Sequence, residues 1–343
     1  MELRVCIKKN LRDFVLDVDF TVNDEIFALL GASGCGKSMT LKCIAGIETP
    51  DEGKIILKGR TLYDSAKKIN LPPQMRRAGY LFQNYALFPN MTVAENILFA
   101  AVGTQEEKIS KLKQNLSRFQ LDGLENAYPS ELSGGQQQRV SFARVLTSHA
   151  EILLLDEPFS ALDSWLKWQL ELELAEIFKI YGAAILVSHD RGEVYRLADK
   201  VAVMHNGIIG TLDTKYETFK NPKTLAATIL TGCKNISPAR KISDDKIFAE
   251  DWQLELTAKK IPDDLKFAGI RAHNLEYRAE AVENTFPMEI AQVIEDTFSY
   301  IVMVRANGGK AIRWEVDKKF WRDIQNSEIY LHFPPDKIIL ANR

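Results

Sequence analysis

The chain has 343 residues, enough for two domains of ordinary size. Its 44 basic and 46 acidic side chains leave a net charge of −2, so no basic excess points to nucleic acid. The four cysteines, Cys6, Cys35, Cys43 and Cys233, are too few and too scattered for a disulfide framework or a metal cluster, which fits reduced thiols in a cytosolic protein.

Charges interrupt the N-terminal residues at once, unlike a signal peptide, and no apolar run approaches the roughly 20 residues of a bilayer span. The first compact apolar run covers residues 26–30. It lacks period-2 alternation, as expected of a strand buried on both faces in a parallel sheet. It leads into Gly31-Ala32-Ser33-Gly34-Cys35-Gly36-Lys37-Ser38, which fits the phosphate-loop pattern G-x-x-x-x-G-K-[ST]. The glycines let backbone N–H groups converge on phosphate oxygens where a Cβ would clash. Lys37 can reach the β- and γ-phosphates, and the Ser38 hydroxyl can ligate Mg²⁺. Residues 39–44 then read as a helix whose N-terminus favours an anion.

Arg76-Arg77 reads as a solvated surface pair rather than an anion patch. Leu132-Ser133-Gly134-Gly135-Gln136 opens a helical stretch over 136–146, a second helix N-terminus suited to an anion. Residues 152–155 form another uninterrupted apolar strand that ends in Asp156-Glu157, at the strand end where ligands bind in a parallel sheet. Asp156 would join a Mg²⁺ shell, and Glu157 would polarise an attacking water. Residues 165–179 have helical spacing, and 185–188 and 201–204 are further buried strands. Strand, crossover helix and parallel strand in succession imply an α/β layer.

The character changes after about residue 230, with a boundary near 231–237. Met288, Ile290, Gln292 and Ile294 are expected on one strand face. Ile301, Met303 and Arg305 follow on one face, with Tyr300, Val302 and Val304 opposite. Asn307-Gly308-Gly309 supplies positive-φ residues for a hairpin before Ile312, Trp314 and Val316. Ile329, Leu331 and Phe333 alternate again. Short strands of this kind suggest a small β-barrel.

Taken together, the loop at 31–38, the pentapeptide at 132–136 and the acidic pair Asp156-Glu157 resemble the motifs of the ATP-binding-cassette (ABC) ATPases. The resemblance implies a P-loop NTPase domain over residues 1–232, with a helical subdomain at about 85–150. Residues 233–343 resemble a TOBE-type, OB-like regulatory β domain. It also implies ATP and Mg²⁺ as ligands. Residues 31–38 and Met39 would bind nucleotide, and Ser38, Gln83 and Asp156 would serve the metal. Lys37, Gln83, Glu157 and His189 would carry the chemistry, with Gln83 sensing the γ-phosphate and His189 acting as the switch. Ser133, Gly134, Gly135 and Gln136 would cap the γ-phosphate held by a second copy, and Asp163, in Ser160-Ala161-Leu162-Asp163, would line that dimer contact. Phe14 is the nearest aromatic for stacking on adenine, and it reads equally as core.

Residues 74–99 resemble the importer segment that receives a membrane subunit. The implied assembly is a homodimer of ATPase subunits with two transmembrane permease subunits. It would work indirectly with an extracytoplasmic substrate-binding protein, without nucleic acid, held peripherally at the cytoplasmic face of the cell membrane. Thr231-Gly232-Cys233-Lys234-Asn235 and Gly269-Ile270-Arg271-Ala272-His273 look most like molybdate/tungstate and sulfate importer ATPases; polyamine, iron and sugar importers share the architecture. Lys310 and Arg313 read as surface charge as readily as oxyanion ligands. Against a soluble ABC ATPase acting on ribosome or DNA stand the β domain and the near-neutral charge. Against a non-enzymatic regulator stand Glu157 and His189.

Overall fold

The computed structural model describes residues 2–148, 150–160, 162–280 and 282–342. Two compact units divide the chain, Met1–Lys215 and Tyr216–Arg343.

The first unit begins with β1 (Leu3–Asn10), β2 (Val15–Val22), β3 (Ile26–Gly31), α1 (Lys37–Ala45), β4 (Glu52–Leu57), β5 (Arg60–Asp64) and β6 (Ile69–Asn70). The short helix α2 (Pro73–Arg76) and β7 (Ala78–Leu81) precede three helices, α3 (Val93–Phe99), α4 (Gln105–Arg118) and α5 (Gly134–Thr147). Then come β8 (Ile152–Asp156), α6 (Ser164–Tyr181), β9 (Ala184–Ser188), α7 (Arg191–Leu197), β10 (Lys200–His205) and β11 (Ile208–Thr214). An eleven-stranded sheet holds the strands in the order β6-β5-β4-β1-β2-β11-β10-β3-β9-β8-β7.

The run β10-β3-β9-β8-β7 is parallel throughout. Strands β3, β8 and β9 are buried at every residue, as their unbroken apolar sequences require. By contrast, β1 and β2 alternate buried and exposed residues. The two faces of the parallel run feed different cores. Phe27, Leu29, Leu154 and Ile185 pack with Leu41 and Ile44 of α1. Leu153, Leu155 and Leu186 pack with Phe142 of α5 and Leu170 of α6. Each fully buried Leu is worth about 1.5–3 kcal/mol relative to exposure.

Three capping boxes set the helix starts between β7 and β8. Thr92 and Glu95 close the first turn of α3, Thr104 and Glu107 that of α4, and Ser133 and Gln136 that of α5. Phe119 and Phe142 stack at 6.2 Å where this helical segment packs.

Arg76 is not the solvated residue its neighbourhood suggests: it is 0% exposed. Its guanidinium donates to the carbonyls of Cys43 at 2.8 Å, Ile44 at 3.0 Å and Leu71 at 2.7 Å, and to Asn70 Oδ1 at 2.7 Å. The first two are C-terminal carbonyls of α1, so a buried cation caps the helix that starts at the phosphate loop. Gly46, at φ +80°, ends that helix, and a Cβ there would lie 2.5 Å from Arg76 Nε. Arg77 is the exposed member of the pair and bonds Glu151 at 3.1 Å.

The second unit contains most of α8 (Lys215–Lys220), then α9 (Leu225–Leu230), β12 (Asn235–Lys241), β13 (Lys246–Ala249), β14 (Leu254–Thr257), β15 (Phe267–Ile270) and β16 (Glu276–Arg278). It ends with β17 (Thr285–Glu295), β18 (Ser299–Arg305), β19 (Ile312–Asp317), α10 (Lys318–Ile324), β20 (Ile329–His332) and β21 (Ile339–Ala341). Its strands form two five-stranded sheets, β14-β13-β12-β15-β21 and β16-β20-β17-β18-β19. Both sheets contribute to one core, with Trp252, Ile270, Val302, Trp314, Leu331 and Phe333 in it. The division into units lies ahead of the expected 232/233 boundary. Thr224 bridges Asn342, and Arg271 donates to the carbonyls of Phe219 and Thr231, which tie the preceding segment to the β strands.

The face expected for β17 is broken. The ladder with β18 pairs Ile290 with Val304 but Gln292 with Met303, a bulge at Ala291. The extra residue flips the parity, so Ile294 pairs with Ile301 on the face opposite Ile290. Val302 and Val304 point inward as their alternation implies, and the hairpin turns through Asn307 at φ 49° and Gly308 at φ 71°.

Replacing Arg76 with Met should leave the Ile44 and Leu71 carbonyls without the donor they have here and lower stability by at least about 2 kcal/mol. Thermal unfolding of the variant checks this; an unchanged midpoint would contradict the capping role.

Candidate functional site

Gly31 closes β3 and starts the turn that carries Lys37 and Ser38 into α1. The turn needs its glycines for different reasons. Gly36 has φ 111°, a left-handed conformation that only glycine adopts without strain. Gly31 has no room for a side chain: a Cβ would lie 2.8 Å from the Met204 carbonyl oxygen and 2.5 Å from Cys35 Sγ. The Lys37 ammonium is buried inside the turn and donates to the carbonyls of Gly31 and Ala32, each at 2.8 Å. Cys35 Sγ lies 4.0 Å from it, and burial pushes that thiol's pKa up.

Strand β8 ends beside this turn. Ser38 Oγ donates to Asp156 Oδ1 at 2.7 Å, and the Tyr80 hydroxyl donates to Asp156 Oδ2 at 2.8 Å. Burial and the adjacent carboxylate both push the Tyr80 phenol's pKa up, so it stays a donor. Glu157 follows at φ 47°, a strained conformation for a non-glycine residue, held by its N–H on the Val187 carbonyl at 3.0 Å. Its carboxylate collects two neighbours: Gln83 Nε2 donates to Oε2 at 3.3 Å, and His189 Nδ1 lies 3.3 Å from Oε1. Lys37, Ser38, Gln83, Asp156, Glu157 and His189 therefore share one cluster at the C-terminal ends of β3, β7, β8 and β9.

Next to His189, Asp190 caps α7 through the N–H groups of Gly192 and Glu193 and accepts from Lys167 at 2.5 Å. Burial alone would raise the Asp190 carboxyl; the Lys167 and backbone hydrogen bonds outweigh it and hold its pKa below the usual range. Lys167 also bonds Glu193 at 2.6 Å, so α6 and α7 are clasped where the β9 loop leaves the sheet.

Phe14 is half-buried beside the phosphate turn. A Cβ on Gly36 would lie 3.5 Å from its ring, and the ring also abuts Gly207. Met39 lies in the first turn of α1 and packs at the edge of the core. Ser133 caps α5 with Gln136, leaving Gly134 open; a Cβ on Gly135 would meet Leu166. Among the described residues, no hydrogen bond joins residues 133–136 to the phosphate turn. Asp163 caps α6 by accepting from the N–H groups of Trp165 and Leu166, and Ala161 lies outside the described residues.

Tyr80 is a site residue that the motifs alone do not mark. Its role comes from the strand pairing, which places Tyr80 of β7 opposite Leu154 of the parallel β8, with Asp156 on the face of Leu154.

A glycine turn between a buried parallel strand and a helix, with a hydroxyl and a carboxylate at its mouth, defines a phosphate-loop nucleotide-binding protein. A family profile described as ABC transporter matches residues 15–160. The sulfate/thiosulfate import ATP-binding protein CysA of Synechococcus elongatus is 33% identical over 316 residues, covering 91% of this chain and 87% of that one. The Fe(3+) ions import ATP-binding protein FbpC of Haemophilus influenzae is 39% identical over 264 residues, covering 74% of this chain and 75% of that one. The solved dimeric structure of MJ0796, described as a bacterial ABC transporter cassette, is 25% identical with a TM-score of 0.54, over 63% of this chain and 99% of that one. The chain belongs to the ABC transporter family as an ATP-binding, ATP-hydrolysing protein.

Gly31→Ala should displace either the Met204 strand end or the turn itself, lowering both melting temperature and ATP affinity. Nucleotide titration beside thermal unfolding tests this; wild-type values for both would contradict the close packing seen here.

Proposed function

We propose that this chain is the ATP-hydrolysing subunit of an importer, working as a homodimer beneath two transmembrane permease subunits. The observation that carries the reading is the cluster in which Glu157 is bracketed by Gln83 and His189 next to the Ser38–Asp156 hydrogen bond. Ser38 and Asp156 present hard oxygen donors 2.7 Å apart, which suit Mg²⁺. Among the described residues no cluster of three or more His, Cys, Asp or Glu could hold a metal alone, so phosphate oxygens and water would complete the shell. When bound there, Mg²⁺ would neutralise charge on the β- and γ-phosphates.

The protein's own part is positioning and charge stabilisation. Lys37 exchanges its loop carbonyls for phosphate oxygens, and the backbone N–H groups of residues 34–38 hold the β-phosphate. Glu157 accepts hydrogen bonding from the attacking water, and His189 holds the γ-phosphate side of that water. Gln83 reports on the same oxygens. Residues 133–136 of a second copy close over the γ-phosphate with the N-terminus of α5, and Asp163 lines the contact. The capped but open start of α5, with Gly134 unobstructed, supports this use. Phe14, whose ring lies beside Gly36, would stack on adenine.

A groove of 430 Å³ lined by Tyr80, Phe82, Phe88 and Phe99 would receive the permease, and its Phe99 is 63% exposed. No helix among the described residues is long and apolar enough to cross a membrane, so attachment at the cytoplasmic face would rest on such a contact. For the cargo we favour sulfate or a related oxyanion such as molybdate or tungstate. The sulfate/thiosulfate relative matches across 91% of the chain, into the second, TOBE-like unit. An iron or polyamine importer is the second reading, favoured by the higher identities, 39% and 42%, of those relatives over shorter stretches. An extracytoplasmic binding protein would choose between them.

Glu157→Gln should bind ATP normally and lose hydrolysis by about 10²–10⁴-fold, the usual contribution of a general base. Phosphate release with parallel nucleotide binding tests this; wild-type turnover would refute the role.

A further inference from the structure

Gln83 is followed by two consecutive residues in the left-handed region, Tyr85 at φ 60° and Ala86 at φ 47°. Neither is glycine, so something must hold them there. The holder is α5. Ser141 Oγ donates to the Tyr85 carbonyl at 3.0 Å. One turn on, Arg144 donates to the Tyr85 carbonyl at 2.9 Å and to the Ala86 carbonyl at 2.8 Å. Arg144 is buried, and among the described residues no carboxylate lies within ion-pair distance of it. Its guanidinium carbon also lies 5.6 Å from the centre of the Phe88 ring. A buried guanidinium with carbonyl partners alone is expensive in solvation, and it is spent on this turn. The Tyr85 hydroxyl is buried, and it lies 3.9 Å from where a Cβ on Gly134 would sit. The Tyr85 ring thus reaches from the turn after Gln83 to the first turn of α5.

We propose that Arg144 is a positioning residue: it locks the Tyr85–Ala86 turn to α5, so that Gln83 and the Ser133–Gly134 helix start move as one piece. The inference rests on the ATPase reading above and deepens it. Arg144 also lines the groove with Phe88 and Ala86. The hydrogen bonds of Arg144 go to the Tyr85 and Ala86 carbonyls and not to the phosphate turn, so its loss should appear in kcat rather than in ATP binding.

The test uses the full chain and steady-state phosphate release, with melting temperature as a fold check. Arg144→Leu should lower kcat about ten- to a hundredfold, the scale of losing one charge-assisted hydrogen bond, with the KM for ATP within about twofold. Arg144→Lys can serve one carbonyl at a time and should fall between. Adding Ala86→Gly makes the left-handed turn permissible without the clamp and should restore much of kcat in either background. If Arg144→Leu does not fold, the Arg144→Lys pair with and without Ala86→Gly carries the same comparison. Folded Arg144 variants with wild-type kcat would overturn the proposal, as would a kcat loss that Ala86→Gly leaves untouched. An inactive wild-type chain would instead sink the ATPase reading itself.

Discussion

The site is organised by one carboxylate. Asp156 sits at the end of a strand with no exposed residue, and both its oxygens are taken, one by Ser38 of the phosphate-loop helix and one by Tyr80 of the neighbouring strand. A buried carboxylate is costly unless such donors meet it. That requirement fixes the register of three elements at once: the start of α1, the end of β7 and the end of β8. Glu157 is the next residue, so its placement against Gln83 and His189 follows from the same anchor.

The surrounding packing keeps that anchor rigid. The parallel strands are buried on both faces, and the helices on either side draw on separate cores. Cations without carboxylate partners serve as internal ties: Arg76 caps the far end of α1, and Arg144 holds the turn beyond Gln83. Around His189 the opposite arrangement holds, with Lys167 shared between Asp190 and Glu193. The first kind of tie fixes backbone, and the second fixes helix against helix.

Much of this was legible in the sequence because the chemistry demands it locally. A phosphate turn needs glycine at Gly31 and Gly36, and strands buried on both faces need unbroken apolar runs, so β3, β8 and β9 could be read directly. Helix α5 was legible as a helical stretch over 136–146, and the structure starts it two residues earlier, at Gly134, where Ser133 and Gln136 bond each other's backbone. What could not be read depends on long-range contacts. Arg76 looks like surface charge until α1 is folded over it, 33 residues away along the chain at Cys43. The bulge at Ala291 leaves no mark in an alternating sequence, since one inserted residue changes parity without changing composition. Tyr80 and Arg144 are ordinary residues whose roles come from the strand or loop opposite them.

On the proposed reading, each ATP is held between the phosphate loop of one copy and the Ser133–Gln136 helix start of another. Complementation measures it most directly. Two inactive full-length variants, Lys37→Ala and Ser133→Arg, would be mixed and assayed for phosphate release. Head-to-tail pairing gives a mixed dimer one intact composite site, so hydrolysis should reappear on mixing. Activity in Ser133→Arg alone, or a mixture as silent as its parts despite measured exchange of subunits, would contradict the account.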